Sequence, residues 1–332
     1  MSFRVSIADV AREAGVSRQT VSRVLNGKGE ISKATLHRVQ EVIDRLDYRP
    51  SSIARGLVTR HTRTIGLIVP DIANPFFADI GRGADDAAHA AGYSLLLCNA
   101  VEDPVREAEL LRILEQRAVD GVVMCSSRLP EEALADLAKR YDAVVLINRS
   151  LAGCSTVCVD DARGAAIVVQ HLLGSGRCRI GLLAGSQISH SSRERARGYA
   201  DTMIAAGEDP EPTLTRRCDS PDIDGGYRAA RSLLGARPEV NGMICYNDLV
   251  ATGALRACAE LGRRVPDSVA VAGADDILLA SLVTPALTTL RVDRQAIGAA
   301  ALSMLLVQLQ GASGVCHTLV FQPELIVRAS AP

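Results

Sequence analysis

The chain has 332 residues, of which 48% are hydrophobic and 23% are charged, and its formal net charge is −1. This composition is typical of a soluble globular protein with two or three domains. No run of about 18 uncharged apolar residues occurs, which excludes a membrane span. Charged residues interrupt the N-terminal segment, which excludes a secretory signal. The protein is therefore predicted to be cytoplasmic.

Positive charge is concentrated at the N-terminus. Residues 1–63 contain 12 Lys and Arg against 6 Asp and Glu, a net charge of +6, whereas the remaining residues contain 25 against 32, a net charge of −7. Basic surfaces attract the phosphates of nucleic acids. The distribution therefore predicts a nucleic-acid-binding head joined to an acidic body.

Two short helices are predicted in residues 6–25. Apolar residues recur there at the helical period of 3.6, with one break that contains Gly15 and Ser17. Gly15 suits a tight turn, Ser17 can cap the second helix, and Ser6 with Asp9 can cap the first. This is the pattern of a helix-turn-helix, whose second helix reads bases in the DNA major groove from its N-terminal end.

The residues at that end suit base recognition. They are Arg18, Gln19 and Thr20, with Arg23 one turn further along. Arginine can donate two hydrogen bonds to guanine, and glutamine can pair with adenine. The alternative is an ordinary helical hairpin with a solvated polar face.

A third helix and a short hinge follow. Ser32 can cap a helix whose apolar face, from Leu36 to Leu46, completes a three-helix head. Residues 53–57 are too short to form a stable helix alone. Their position between head and body predicts that DNA orders them, with Leu57 inserted into the minor groove, and the alternative is a linker that makes no contacts.

From Thr64 onward, predicted strands and helices alternate. Apolar strands are predicted at residues 65–69, 93–97, 121–124, 143–147, 179–183, 242–245 and 269–273. Helices are predicted near residues 76–91, 105–117, 131–140, 161–173, 191–206, 224–235 and 247–261. Strands without polar alternation are typical of parallel sheets buried on both faces. The pattern predicts a body of two doubly wound α/β lobes.

These elements predict three parts of the chain. We expect a helix-turn-helix head at residues 1–49, a hinge helix and linker at 50–63, and a body at 64–332. Within the body, the N-lobe is expected to comprise about residues 64–160 and part of 291–320. The C-lobe is expected to comprise about residues 161–290 and the C-terminal strand.

Polar residues follow the predicted strands, at the edge where such sheets bind ligands. They are Asp71, Asn74 and Phe76, Asn148 and Arg149, Ser191 and Arg195, Asn247 and Asp248, and Asp275 and Asp276. Carboxylates, amides and arginines that converge beside an aromatic ring can hold a small hydroxylated molecule between the lobes. The structural alternatives are helix caps for Asp161 and Asp248 and a turn for Asn74.

The sequence contains no catalytic or cofactor motif. A Walker loop, a complete dinucleotide fingerprint and a Gly-x-Ser-x-Gly elbow are all absent. The six histidines and nine cysteines do not show metal-ligand spacing. We therefore expect no enzyme, no cofactor and no metal. A solute receptor without a DNA role and an enzyme on the same lobes remain the alternative classes.

Six segments resemble the LacI/GalR (lac repressor) family of transcription regulators. They are SIADVAREAGVSRQTVSRVLNGKGEIS, YRPSSIARGL, IGLIVPDIANPFF, the ND of CYNDLVATGAL, RVPDSVAVAGADD and TPALTTL. They cover nearly the whole chain in the family's order of head, hinge and body. The resemblance implies a repressor that binds palindromic operator DNA as a homodimer, under the control of a small molecule, a sugar or sugar derivative, held between two lobes like those of periplasmic binding proteins.

The resemblance also implies roles for single positions. The base-reading positions of the family match Arg18, Gln19 and Arg23, and its phosphate-contacting positions match Ser17, Thr20, Asn26 and Ser32. The hinge positions match Ala54 and Leu57. The effector-pocket positions match Asn74, Phe76, Asn148, Arg149, Ser191, Arg195, Asn247 and Asp275. Ala274 replaces a common aromatic residue and Asn148 replaces a common aspartate, and both departures bear on which ligand is bound.

Overall fold

The computed structural model describes residues 5–26, 31–48, 61–311 and 316–332. The predicted hinge with Ala54 and Leu57, and the turn after Asn26, lie outside these residues. The chain divides into two compact units, Met1–Thr62 and Arg63–Pro332. No helix within the described residues is long and apolar enough to cross a bilayer.

Three helices are present in residues 5–26 and 31–48 of the N-terminal unit. They are α1 (Ile7–Glu13), α2 (Arg18–Asn26) and α3 (Lys33–Arg45). Val10, Val21 and Val39 are fully buried between them. The three helices therefore share one small apolar core, as predicted for the head.

The helix ends of the head follow the predicted capping residues. At the start of α1, the Ser6 hydroxyl accepts from the Asp9 N–H, and the Asp9 carboxylate accepts from the Ser6 N–H at 3.0 Å. Gly15 lies in the turn between α1 and α2 with a φ of +65°, a conformation that favours glycine. The Ser17 hydroxyl accepts from the Thr20 N–H at 3.1 Å.

The first lobe of the body is built on a six-stranded parallel sheet. Its strands are β1 (Thr64–Val69), β2 (Ser94–Asn99), β3 (Gly121–Cys125), β4 (Val144–Ile147), β5 (Ser155–Val159) and β11 (Thr318–Phe321), in the order β11-β5-β4-β3-β1-β2. Its helices are α4 (Pro75–Ala90), α5 (Pro104–Gln116), α6 (Glu131–Ala138) and α12 (Arg294–Leu309). Ile80 of α4 and Leu302 of α12 belong to one apolar cluster, whereas Leu111 of α5 and Leu134 of α6 belong to another. The sheet thus has an apolar layer on both faces.

The second lobe repeats this design on a smaller scale. Its parallel strands are β6 (Ile180–Ala184), β7 (Thr215–Arg217), β8 (Gly242–Cys245) and β9 (Ala270–Ala272), in the order β7-β6-β8-β9. Its helices are α7 (Asp161–Gly174), α8 (His190–Ala205), α9 (Ile223–Ala236), α10 (Asp248–Glu260) and the short α11 (Leu278–Leu282). A 3-10 turn precedes β7 at Pro212–Leu214. Both lobes therefore have the predicted doubly wound parallel architecture.

A two-stranded antiparallel sheet completes the body. It pairs β10 (Thr289–Arg291) with β12 (Glu324–Ile326). A C-terminal strand was predicted without bounds, whereas β10, β5, β7, β11, α11 and α12 were not predicted as separate elements. Most of the missed strands are three or four residues long or contain polar residues, so they lack the apolar run that marks the other strands.

Candidate functional site

A cavity of about 360 Å³ lies between the two lobes. Its walls come from the segments that follow the carboxyl ends of the parallel strands, which is where doubly wound sheets bind ligands. The polar and charged lining residues are Asp71, Asn74, Glu102, Ser126, Asn148, Ser191, Arg195, Asp219, Ser220, Asp222, Tyr246, Asn247 and Asp275. The volume falls in the range of small-molecule pockets.

The cavity brings together most of the predicted effector residues. Its lining includes Asn74, Phe76, Asn148, Ser191, Arg195, Asn247 and Asp275. Arg149 does not line it, because its guanidinium donates to the Leu129 carbonyl oxygen at 3.1 Å instead. Burial, together with the charge of Arg193, lowers the pKa of Arg149. Arg149, which is predicted to bind the effector, therefore lies outside the residues that line this cavity.

The three asparagines in the cavity also have structural roles. Asn74 caps α4 by accepting from the Phe76 N–H at 3.0 Å, and Asn247 caps α10 by accepting from the Val250 N–H at 2.8 Å. Asn148 has a φ of +51° and accepts from the backbone N–H of Val159 at 2.9 Å. These hydrogen bonds fix the positions of the amide groups at the cavity wall.

The alternative role of Asp161 and Asp248 as helix caps is wrong. Asp160, not Asp161, caps α7, and Asn247 caps α10. Asp248 is fully buried, where its carboxylate accepts from the Thr289 hydroxyl at 2.5 Å and from the Ile277 N–H at 2.9 Å. Burial raises the pKa of Asp248 well above its usual value. Asp248 thus joins α10 to the segment that follows β9.

Arg195 is the centre of the charge network in the cavity. Its Nε donates to Asp161 at 2.8 Å, a terminal nitrogen lies 3.7 Å from the Asp275 carboxylate, and another nitrogen donates to the Tyr246 carbonyl oxygen. The guanidinium also lies 5.3 Å from the centroid of the Tyr246 ring. Only 13% of the side chain is exposed. Two buried carboxylates therefore share one buried guanidinium.

The carboxyl group of Asp275 is strongly perturbed. Burial raises its pKa to about 7, although the neighbouring Arg195 acts in the opposite direction. The Asp161 carboxylate raises it further, and a hydrogen bond from Asn74 lowers it. Because Asp275 is only 7% exposed, its protonation depends mainly on these groups.

The raised pKa of Asp275 predicts a loss of stability as the pH rises from about 4 to about 7. In this window the native carboxyl holds a proton that the unfolded chain has released, because the ordinary pKa is 3.8. The free energy of unfolding therefore falls with pH, by at most about 1.4 kcal/mol per pH unit. In chemical denaturation at a series of pH values, Asp275→Asn should show a smaller decline than the parent. Equal declines would contradict this assignment.

Several lining residues follow strand ends that the sequence does not mark. Asp219 and Asp222 follow β7, a polar three-residue strand, so no strand end was predicted there. Glu102 follows β2, which ends at Asn99, two residues beyond the predicted end. Tyr246 directly precedes Asn247 and follows the buried strand β8. The predicted end of that strand could have identified Tyr246 as a lining residue.

The predicted DNA-reading residues lie on α2 and at the start of α3. Arg18, Gln19 and Arg23 are exposed, and Thr20 is half-buried. The Ser32 hydroxyl caps α3 by accepting from the Thr35 N–H at 3.2 Å. Asn26 is the last residue of α2. The exposed N-terminal half of α2 thus carries the side chains that suit base recognition.

Two family descriptions match the chain. Residues 6–51 match "Bacterial regulatory proteins, lacI family", and residues 62–317 match "Periplasmic binding proteins and sugar binding domain of LacI family".

Relatives and solved structures match over almost the whole length. The repressor PurR of Photobacterium profundum is 31% identical over 328 residues, 98% of both chains. The regulator GalR of Escherichia coli is 34% identical over 329 residues, 98% of this chain and 95% of that protein. The crystal structure of the lac repressor dimer bound to operator and the anti-inducer ONPF superposes with a TM-score of 0.89 at 25% identity, covering 98% of this chain and 99% of that one. The chain therefore belongs to the lacI family of bacterial regulatory proteins and is a DNA-binding transcriptional repressor.

Proposed function

We propose that a small polar ligand, a sugar or sugar derivative, binds in the cavity between the lobes and controls the affinity of the repressor for operator DNA. The observation that carries this proposal is the cavity itself. Residues of both lobes line it, including Asn74 and Phe76 from the first lobe and Arg195 and Asp275 from the second. A ligand held by both lobes stabilises one relative arrangement of them.

The chemistry of the lining suits a polyhydroxylated molecule. Carboxylates accept hydrogen bonds from hydroxyl groups, and amides both accept from them and donate to them. Aromatic rings cover the apolar C–H faces of a sugar. Phe76 and Phe77 both line the cavity, and their rings meet edge to face with centroids 5.3 Å apart. This pair supplies an apolar part of the wall, and Phe76 adjoins the charged cluster around Arg195.

Control of DNA binding follows from linkage. A ligand changes operator affinity only by its differential affinity for the two lobe arrangements, typically about 1 to 3 kcal/mol. The test is a thermal-shift screen of sugars, nucleosides and related polyols, followed by operator binding with each hit. A ligand that raises Tm and changes operator affinity supports the proposal. Hits that all leave operator affinity unchanged would contradict it.

Base reading is assigned to Arg18 and Gln19. Arg18→Ala and Gln19→Ala should each cost about 1 to 3 kcal/mol on the preferred operator and relax preference at one base pair. Binding to a randomised operator library measures this. Arg45→Ala is the control, because Arg45 of α3 is paired with Glu13 at 2.9 Å, so its loss should not alter sequence preference. Unchanged preference in both test variants would contradict the assignment.

A palindromic operator requires two heads related by a two-fold axis, and we assign the homodimer contact to α11. Leu278 and Leu282 of this helix are 74% and 67% exposed. Large apolar side chains clustered at a surface are typical of interaction sites. A second copy of the chain, docked through the same helix, would bury both leucines in an isologous interface.

The double substitution Leu278→Asp with Leu282→Asp should weaken self-association by at least about a hundredfold, because it places charges in an apolar interface. Sedimentation velocity over a concentration series measures this. Ile204→Asp is the matched control, since Ile204 lies on α8 and is also well exposed, at 64%. Persistence of the dimer in the double variant would exclude α11 as the contact.

A further inference from the structure

The lining of the cavity is strongly acidic. It contains the carboxylates of Asp71, Glu102, Asp219, Asp222 and Asp275. Among the lining residues, all of which the structure describes, Arg195 is the single arginine and lysine is absent. The balance of charge at the wall therefore disfavours an anion.

Two of these carboxylates are each paired with an arginine, of which Arg128 is buried and Arg228 is 54% exposed. Arg128 donates to both oxygens of Glu102, at 2.6 and 3.0 Å. Arg228 donates to both oxygens of Asp219, at 2.9 and 2.7 Å. Neither arginine lines the cavity. Because each guanidinium already faces a carboxylate, neither is presented to a ligand.

The guanidinium of Arg195 is also paired with carboxylates of the protein. Asp161, which does not line the cavity, accepts from its Nε, and the Asp275 carboxylate lies 3.7 Å from a terminal nitrogen. Counting Asp161, six acidic side chains lie at or behind the wall, and one of them, Asp275, has a pKa of about 7. The guanidiniums beside them are those of Arg128, Arg195 and Arg228, together with that of Arg294, which donates to the Asp275 carbonyl oxygen. An anionic ligand would have to compete with buried carboxylates for the one guanidinium at the wall.

Helix N-termini are the other feature that attracts anions, and several begin at the cavity. The helices α4, α8, α9 and α10 start there, and in each of them one backbone N–H is bound by a capping side chain, that of Asn74, Ser189, Asp222 or Asn247. The Asp222 cap is itself a carboxylate, which accepts from the Gly225 N–H at 2.8 Å. The positive end of α9 therefore already faces a carboxylate, whereas the other three caps are neutral.

We infer that the cavity takes an uncharged polyol or its amine-bearing analogue and rejects phosphorylated and carboxylated forms of the same sugar. This inference rests on the proposed function and narrows its ligand class. Hydroxyl groups can donate to the lining carboxylates, whereas a phosphate offers only further acceptors and negative charge. An ammonium group gains from the same field that repels the phosphate.

The test uses sets of related sugars that carry different charges. Glucose, galactose and ribose are each compared with their terminal phosphates and their aldonic or uronic acids, and glucose and galactose also with glucosamine and galactosamine. Dissociation constants of the full-length protein are measured at fixed ionic strength. We expect at least one neutral or amino sugar to bind, with its anionic counterpart weaker by at least about a hundredfold. Equal or tighter binding of the anionic counterpart would overturn the inference.

Two variants that each remove one negative charge show whether anionic sugars bind weakly for an electrostatic or a steric reason. Asp222→Asn removes a lining charge and keeps a good helix cap. The ratio of the dissociation constants of the sugar phosphate and the neutral sugar should therefore fall by roughly tenfold. Asp224→Asn removes a charge from the same helix at a residue that does not line the cavity, so it should leave the discrimination unchanged. Equal discrimination in the parent and both variants would contradict the electrostatic cause.

The outcomes also separate this inference from the proposed function. If an anionic sugar binds as tightly as its neutral counterpart and changes operator affinity, the proposal that a ligand controls operator binding is supported, whereas the inference that the cavity rejects anions is wrong. If no member of the sets binds, the inference and the proposal of a sugar as effector both fail.

Discussion

Arg195→Ala is expected to abolish ligand binding and to lower the free energy of unfolding by about 3 to 5 kcal/mol. The substitution leaves Asp161 and Asp275 buried without the guanidinium that they share, and both carboxylates are less than 10% exposed. It also removes the hydrogen bond to the Tyr246 carbonyl oxygen. The destabilisation should be larger at pH 8 than at pH 6, because protonation of Asp275, with a pKa of about 7, relieves part of the uncompensated charge.

Arg197→Ala provides the matched control for this experiment. Arg197 lies two residues further along the same helix, but 57% of its side chain is exposed and it pairs with Glu194 at the surface. Exposed ion pairs contribute at most about 1 kcal/mol. Urea denaturation and thermal-shift titration of both variants measure the effects. An Arg195→Ala protein as stable as Arg197→Ala would contradict the structural role, and one that binds ligand normally would contradict the site.

Gly298→Ala and Gly83→Ala are each expected to destabilise the first lobe by about 2 to 3 kcal/mol or more. The helices α4 and α12 cross so closely that a Cβ atom on Gly298 would lie 2.0 Å from the Ile80 carbonyl oxygen. A Cβ atom on Gly83 would lie 2.0 Å from the Gln295 carbonyl oxygen. Since both obstacles are backbone atoms, the helices must separate and open the apolar layer between them.

Gly235→Ala is the control for these substitutions. Gly235 belongs to α9, and a Cβ atom there would meet no atom within 4 Å. Alanine in a helix is favoured over glycine by about 0.5 to 1 kcal/mol, so this variant should be more stable than the parent. Chemical denaturation gives the comparison. Equal effects of Gly298→Ala and Gly235→Ala would exclude the close helix crossing.

Local signals in the sequence were sufficient for the head and for much of the body. The capping residues Ser6 and Ser32 mark the starts of α1 and α3, because side-chain caps act over three residues and depend on no distant contact. The fully buried strands β1 and β3 were predictable for a related reason, since burial on both faces requires an unbroken apolar run.

The missed elements depend on contacts between distant parts of the chain. In β5, Ser155 and Thr156 are only 2% exposed although they are polar. The Ser155 hydroxyl is satisfied by the Gln308 side chain at 3.1 Å, and the Thr156 N–H by the His317 carbonyl at 2.8 Å. These partners lie more than 150 residues further along the chain, so no local pattern in the sequence indicates that a strand with such residues is buried.

In the candidate site, too, local sequence patterns predicted some residues, whereas contacts with distant residues were not predictable. The strand ends predicted that Asn74, Asn247 and Asp275 would converge, and they line one cavity. The partner of Arg195 was not predictable, because Asp161 lies 34 residues earlier and its local context suggested a helix cap. Ion pairs between distant parts of the body, rather than positions in a sequence motif, determine which charged side chains of the cavity can bind a ligand.

The central claim, that the cavity and the DNA-reading head are coupled, is tested most directly by measuring one linkage in both directions. Operator affinity is determined with and without saturating ligand, and ligand affinity is determined with and without saturating operator. Linkage requires the same factor in the two measurements, and we predict a factor of about 5 to 150. Ligand binding that leaves operator affinity unchanged, with a factor of one in both directions, would contradict the account.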